Sequence, residues 1–396
     1  MNPRITVLIV AMCDSVHTAR WIRQFSNCNV EFVLYPSTPH RRIHQDIRQL
    51  LSSKDRGYVR LRLSDRWLAL PLGLLDLLIK TKVRARRLRK LISAGEFDFV
   101  HLLETQHAGY LYREAVWPLS VRPVTALSVW GSDLVWFYRS SSHRRRIGES
   151  LKLVDLLFTE CSRDQLLARE LGYQGQMARK LPASGGLSNL LDSKVSEKED
   201  RASLRRVVMV KGYTGFVGRA HTAIRALITN ADLLRSYQIH IYSVSLWLFP
   251  YLRWVRHFYS LNIVAHRKKA LTHEQIMRLF SRARISLSVS LSDGFSGSSR
   301  EAAWSGAFPI ESKGSCVAEW LQPGQSCLLV DPESDESVAG VLRNAILDDE
   351  LVDSAMTLNR EYARMFSSES VRTAALSEYV SLFMRSQRGL AQGMLG

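Results

Sequence analysis

The chain has 396 residues, 46% of them hydrophobic and 23% charged, and a formal net charge of +17. These proportions exclude a disordered or fibrous chain, and the length exceeds what one hydrophobic core usually fills, so two domains are expected. The cationic excess favours anionic partners such as nucleic acid, acidic headgroups or phosphorylated substrates, while five scattered cysteines, odd in number and without CxxC spacing, argue against a disulfide framework or a zinc site and fit a reducing compartment.

The apolar run from residue 5 is too short to span a membrane and reads as a first buried strand over 5–10. A helix over 17–25 and a strand over 30–35 follow. The stretch 67–79 is interrupted by Pro71, Gly73 and Asp76 and also falls short of a spanning helix. An amphipathic basic helix is expected over 74–92. Strands over 97–103, 125–129 and 156–159 then alternate with helices over 110–115, 147–152 and 163–171. Continuous apolar strands separated by helices indicate a parallel sheet covered on both faces.

Composition shifts to polar and charged over 186–203, the expected linker. The alternation then restarts. Strands are expected over 207–210, 239–243, 284–290, 307–311 and 327–330. Helices are expected over 221–227, 272–283, 299–305, 317–321, 336–347, 351–365 and 373–384. Thr272 and Gln275 spell a capping box at one helix start. Two doubly wound α/β units result, with ligands expected beyond the carboxyl ends of their strands.

One such strand end leads into Asp293-Gly294-Phe295-Ser296 and then a helix carrying Glu301. A helix N-terminus reached through a Gly-containing loop presents N–H groups and the positive dipole end to an anion, and a nucleotide diphosphate suits it. Asp293 is placed to accept bonds from sugar hydroxyls and Glu301 to hold ribose hydroxyls. Ser298-x-x-Glu301 is also a capping box, in which Glu301 would only cap the helix. A second Gly-rich loop carries Lys211, Gly212 and Arg219, two charges suited to a phosphate or simply solvated. In the first half, His17, Glu104, His107, Trp130 and Asp133 stand after strand ends and are candidates for contact with a second substrate. Asp133 equally suits a helix N-cap, and a lone histidine is more often structural.

The segment from Ser290 to Ile310 resembles the signature of glycosyltransferase family 4, the retaining GT-B enzymes. There a strand leads to Glu-Gly-Phe, two glutamates are separated by seven residues, and a helix, a Gly and a Pro-containing strand follow. Asp293 stands at the first glutamate, one methylene shorter. Glu319 falls in a stretch like the family's Gly–Glu run, or is a helix-turn residue. Trp130-Gly131-Ser132-Asp133 resembles its His-Gly-x-Asp stretch, with Trp130 in place of the histidine.

The resemblance implies a GT-B fold, with two Rossmann-like domains facing a central cleft. The acceptor-binding domain would span 1–185 and the nucleotide-sugar-binding domain 204–370, with a C-terminal helix over 371–396 packing back on the first domain. It implies retaining transfer from a UDP- or GDP-sugar to a glycan or lipid-linked acceptor, with Lys211 and Arg219 stabilising the leaving diphosphate. No cofactor is expected, and no metal, since no Asp-x-Asp marks a strand end. The basic stretch 80–90 suits an anionic membrane surface, or is a solvated helix face, and no nucleic-acid motif accompanies the charge. A cytoplasmic chain able to sit on the inner face of the cell membrane is expected. Rival readings are a nucleotide-sugar epimerase on the same scaffold, and a non-catalytic GT-B-like protein that binds a glycan, lipid or partner.

Overall fold

The computed structural model describes residues 4–39, 42–52, 60–63, 66–79, 82–187 and 201–393. Most of the expected linker lies outside these residues. The chain divides into two compact units, Met1–Gly186 with Ser368–Gly396, and Leu187–Ser367.

The first unit is built on strands β1 (Ile5–Ala11), β2 (Val30–Pro36), β3 (Arg60–Leu63), β4 (Phe99–Leu103), β5 (Thr125–Ser128), β6 (Leu156–Phe158) and β7 (Gln176–Met177). They form one parallel sheet in the order β3-β2-β1-β4-β5-β6-β7. The helices are α1 (Val16–Arg23), α2 (Gln45–Ser52), α3 (Arg66–Ile79), α4 (Val83–Ser93), α5 (Tyr110–Val116), α6 (Ser141–Leu151) and α7 (Ser162–Glu170). Nearly every residue of β1, β2 and β4 is buried, as a sheet covered on both faces requires. The single basic helix expected over 74–92 is instead two helices. Lys82 takes the left-handed conformation at φ 53°, and the Asp76 carboxylate of α3 accepts the N–H groups of Val83 and Arg84 at the start of α4. Asp76, within α3, therefore caps the start of α4.

The second unit carries β8 (Val207–Lys211), β9 (Gln238–Val244), β10 (Asn262–Arg267), β11 (Ile285–Ser288), β12 (Phe308–Ser312) and β13 (Leu328–Val330). Its order is β10-β9-β8-β11-β12-β13, again all parallel. The helices are α8 (Ala220–Thr229), α9 (Ala231–Leu234), α10 (Phe249–Phe258), α11 (His273–Phe280), α12 (Gly297–Trp304), α13 (Asp335–Leu347) and α14 (Asp349–Arg364). Strands β3, β7 and β10 and helices α2, α9 and α10 escape the sequence reading. The Thr272 capping box at α11 forms with both of its reciprocal bonds. The expected helix over 317–321 is a single 3-10 turn, Val317–Glu319.

The last helix, α15 (Ser368–Gly393), returns to the first unit. Val371, Ala375, Tyr379 and Leu382 lie on one of its faces and are buried among Trp21, Phe25, Phe32 and Phe99. The Tyr379 ring stacks on Phe25 with centroids 4.8 Å apart. The architecture is the doubly wound pair of α/β units that the strand–helix alternation predicts, with the terminal helix folded back on the first.

Candidate functional site

In the second unit the strand order reverses between β8 and β11, so the loops leaving these two strands diverge and open a crevice at their carboxyl ends. Lys211 ends β8, and Asp293 follows β11. Lys211 Nζ donates to Asp293 Oδ2 at 3.2 Å. The two loops are laced together by backbone bonds, Arg219 N to Val289 O at 3.0 Å and Leu291 N to Val217 O at 2.8 Å. This brings Arg219, at the start of α8, to the same edge.

Glycines allow the close approach. A Cβ on Gly218 would lie 2.2 Å from the Tyr213 carbonyl oxygen, and one on Gly212 would lie 2.9 Å from that of Tyr242. Gly314 likewise passes under the Leu291 carbonyl, with a Cβ there only 2.5 Å away. Cys316 N donates to Gly294 O at 3.2 Å and holds the turn bearing exposed Glu319 against the Asp293 loop.

Helix α12 begins at this loop. Its N-cap is Ser296, whose Oγ accepts the Ser299 N–H. The capping box spelled by Ser298 and Glu301 does not form, because Glu301 lies in the second turn. Its carboxylate instead meets His273 of α11, Nε2 to Oε1 at 2.8 Å, and is 6% exposed. Glu301 is thus held at the site by a side chain that the sequence reading did not select. The Phe295 ring is buried between Trp320 and Phe366, where it pins the loop.

Glu311, inside β12, is the second residue that the sequence reading missed. Its carboxylate accepts from Ser299 Oγ, which in turn meets the N-cap Ser296 Oγ. Burial pushes Glu311 up to about 8, against the lowering effect of Ser299 and Lys211. It therefore holds a proton at neutral pH. Burial pulls Lys211 down, but the adjacent Asp293 carboxylate is the chief opposing influence and the net shift is upward, so Lys211 is a firm cation. An acid inside an otherwise apolar strand (Phe308-Pro309-Ile310-Glu311) is the signal that would have found it.

At the carboxyl edge of the first unit's sheet, Glu104 has φ 79° and ψ 157°, a conformation almost reserved for glycine. Its buried carboxylate accepts the N–H groups of His107 and Ala108 in a π turn, Thr105–Gly109. Asp133 Oδ2 accepts from Thr105 N at 2.9 Å and Trp130 N at 3.1 Å, so it ties the loops after β4 and β5 together rather than capping a helix. Burial raises both acids, and the charge of Asp133 raises Glu104 further. What these acids hold in place is half-exposed His107, together with Trp130, against which the His17 ring packs edge-on at 5.1 Å. The Trp130 indole N–H has no hydrogen-bond partner among the described residues.

The basic stretch is divided by its own contacts. Arg84 donates to the carbonyls of Pro36 and Ser37, and Arg89 to that of Ala115. Lys82, Arg86 and Lys90 remain exposed, four residues apart along α4. No helix among the described residues is long and apolar enough to cross a membrane.

Residues 219–374 match the model of a family described as glycosyl transferase-like. No curated protein matches the chain. Among solved structures, HepE of Anabaena in complex with UDP and glucose superposes with a TM-score of 0.68 at 13% identity, over 95% of this chain and 99% of that one. The sucrose-phosphate synthase of Thermosynechococcus elongatus gives 0.66 at 13%, over 96% and 100%. A glycosyltransferase from Rickettsia africae gives 0.65 at 14%, over 96% and 99%. At these identities the likeness establishes the GT-B fold, and the residues matched by the family model include the segment that contains Asp293 and Glu301.

Proposed function

We propose that the chain is a retaining glycosyltransferase whose second unit binds a nucleotide-diphosphate sugar between the ends of β8 and β11. The observation that carries this reading is the Lys211–Asp293 pair, 3.2 Å apart beside the N-terminus of α12, with Arg219 on the laced loop and Glu301 on the helix. Lys211, Arg219 and the helix dipole supply positive charge where a diphosphate leaves. Glu301 accepts the ribose hydroxyls, and His273 fixes its orientation. Asp293 accepts sugar hydroxyls while holding Lys211 in place, and the backbones of Gly212, Gly294 and Ser296, with Glu319, complete the donor loop. That HepE was solved with UDP and glucose supports a uridine donor over a guanosine one.

In this reading the acceptor, a glycan or a lipid-linked glycan, binds at the first unit's loops. Trp130 offers its indole N–H, with His17 and His107 beside it and Glu104 and Asp133 holding the backbone. The acceptor oxygen attacks on the face the diphosphate leaves, and a phosphate oxygen takes its proton, so the protein's work is positioning and charge stabilisation. No metal is required, because the two basic side chains supply the countercharge, and activity should survive chelation. The protein works in the cytoplasm, with the Lys82, Arg86 and Lys90 row against anionic lipid.

The test is thermal shift against a panel of nucleotides and nucleotide sugars, with Lys211→Ala and Glu301→Ala beside the wild type. A ligand at about 100 times its Kd stabilises by about 2.7 kcal/mol. A shift with one nucleotide family, lost in both variants, supports the donor site. No shift with any nucleotide overturns it in favour of a non-catalytic scaffold. A nucleotide sugar isomerised without acceptor would make the chain an epimerase.

A further inference from the structure

Between Leu233 and His273 the sequence contains no aspartate or glutamate but six lysines and arginines: Arg235, Arg253, Arg256, Arg267, Lys268 and Lys269. All six are exposed. The same stretch folds into a 3-10 turn, Leu246–Leu248, running into α10. Two parallel stripes run along this element. Leu248, Leu252 and Val255 face the core and are buried. Trp247, Tyr251, Trp254 and Phe258, spaced four, three and four apart, form the neighbouring stripe. Trp247, Trp254 and Phe258 are 59%, 49% and 67% exposed, and Leu246 beside them is 65% exposed. This amount of aromatic surface is not explained by the unit's own packing.

We propose that this turn and α10 form a docking surface for an anionic lipid bilayer, separate from the row on α4. The cations select the partner's sign. Two copies of the chain meeting through this helix would set the exposed Arg253 and Arg256 of one against the same pair of the other, which disfavours a second copy. The composition of the patch selects lipid over nucleic acid. Trp254 lies nearly parallel to Tyr251 at 16° and to Phe258 at 17°, with centroids 6.0 and 5.4 Å away, so the rings stand side by side along the helix as one apolar strip, continued by exposed Leu246. An aliphatic side chain gives a nucleobase nothing to stack on, whereas leucine, tryptophan and phenylalanine together suit the boundary between headgroups and acyl chains, and the flanking arginines reach the phosphates. The surface does not use the nucleotide site, so the two proposals stand or fall separately.

The experiment is co-sedimentation of the full chain with phosphatidylcholine vesicles, with and without about 30% phosphatidylglycerol, alongside quenching of tryptophan fluorescence by brominated lipid. The wild type should bind the anionic vesicles and be quenched. W254S/F258S should lose about tenfold in partition. R253E/R256E, which leaves the aromatic stripe intact, should lose binding in a salt-dependent way and serves if the first variant fails to fold. In K82E/R86E/K90E, which weakens the other row, the protein that still sediments should remain quenched. Binding unchanged in both α10 variants overturns the proposal. So does a wild-type dimer that W254S/F258S splits, or a single-stranded oligonucleotide that displaces the vesicles.

Discussion

The hydroxyl of Tyr379 and Nδ1 of His101, 278 residues apart in sequence, lie 2.8 Å from each other in the core of the first unit. The Trp21 indole also donates to the Tyr379 oxygen at 2.9 Å, and His101 Nε2 meets Ser128 Oγ at 2.8 Å. Every group is satisfied if Tyr379 donates to Nδ1 and the ring proton sits on Nε2. Burial holds His101 down to about 3, so it stays neutral in the fold. This chain of bonds fastens α15 to the sheet of the first unit.

Tyr379→Phe keeps the stacked ring but leaves the Trp21 N–H buried with one partner fewer. Such a loss costs about 1–3 kcal/mol, read as a lower denaturant midpoint. Ending the chain after Met365 removes Val371, Ala375, Tyr379 and Leu382 together and uncovers Trp21 and Phe25. That truncation should yield aggregated or protease-sensitive protein, and a truncated chain with a wild-type melt would refute the role given to α15.

Lys211→Ala is expected to weaken UDP binding by about tenfold or more, the size of a lost charge-assisted hydrogen bond. Asp293→Asn should disturb sugar-nucleotide binding more than binding of UDP alone, because its assigned contact is to the sugar. Calorimetric titration of both ligands against both variants checks this. Equal losses for UDP and for the sugar nucleotide in Asp293→Asn would remove Asp293 from the sugar site.

The raised Glu311 makes a pH prediction. Its folded value of about 8 exceeds the ordinary 4.5, so the folded state binds more protons than the unfolded one between these values. Stability contributed by this group is complete below about 4.5 and is lost as pH rises towards 8. Ionisation in the folded state places a second negative charge beside Lys211, so nucleotide affinity should fall as pH passes about 8. Glu311→Gln should flatten both curves. Parallel pH profiles for the variant and the wild type would show that Glu311 stays ionised or contributes nothing.

The sequence reading reaches far where periodicity and local chemistry agree. The apolar runs of β1, β8 and β11 and the Gly306 stop after α12 declare themselves, and so does the loop carrying Asp293. The edge strands β3 and β10 do not. Arg60-Leu61-Arg62-Leu63 alternates like a half-solvated strand, and β10 ends in His266 and Arg267, so neither shows the continuous apolar run of an inner strand. Side-chain partners that depend on tertiary packing are also silent. Nothing near His273 in sequence announces Glu301, and Asp76 reads as an interruption of a helix until its bonds to Val83 and Arg84 show it to be a cap.

Glu104 supplies the last prediction. Its backbone sits where only glycine is at ease, and the cost is offset by its carboxylate, which accepts two N–H groups of the following turn. Desolvation, then the charge of Asp133, raises its affinity for a proton; Asp133 is raised chiefly by burial, and Asp164 adds to it. Each acid therefore binds its proton more tightly folded than unfolded, and the stability they contribute falls as pH rises above the ordinary carboxylate range. Glu104→Gln keeps the shape but cannot ionise, so its melting temperature should gain on the wild type as buffers move from about pH 5 to pH 9. Glu104→Gly relieves the backbone but removes the bonds to His107 and Ala108, so it should loosen the loop at every pH, seen as faster amide exchange at these two residues. If the Gly variant protects them as well as the wild type does, the carboxylate does not hold the turn, and His107 is positioned by the backbone alone.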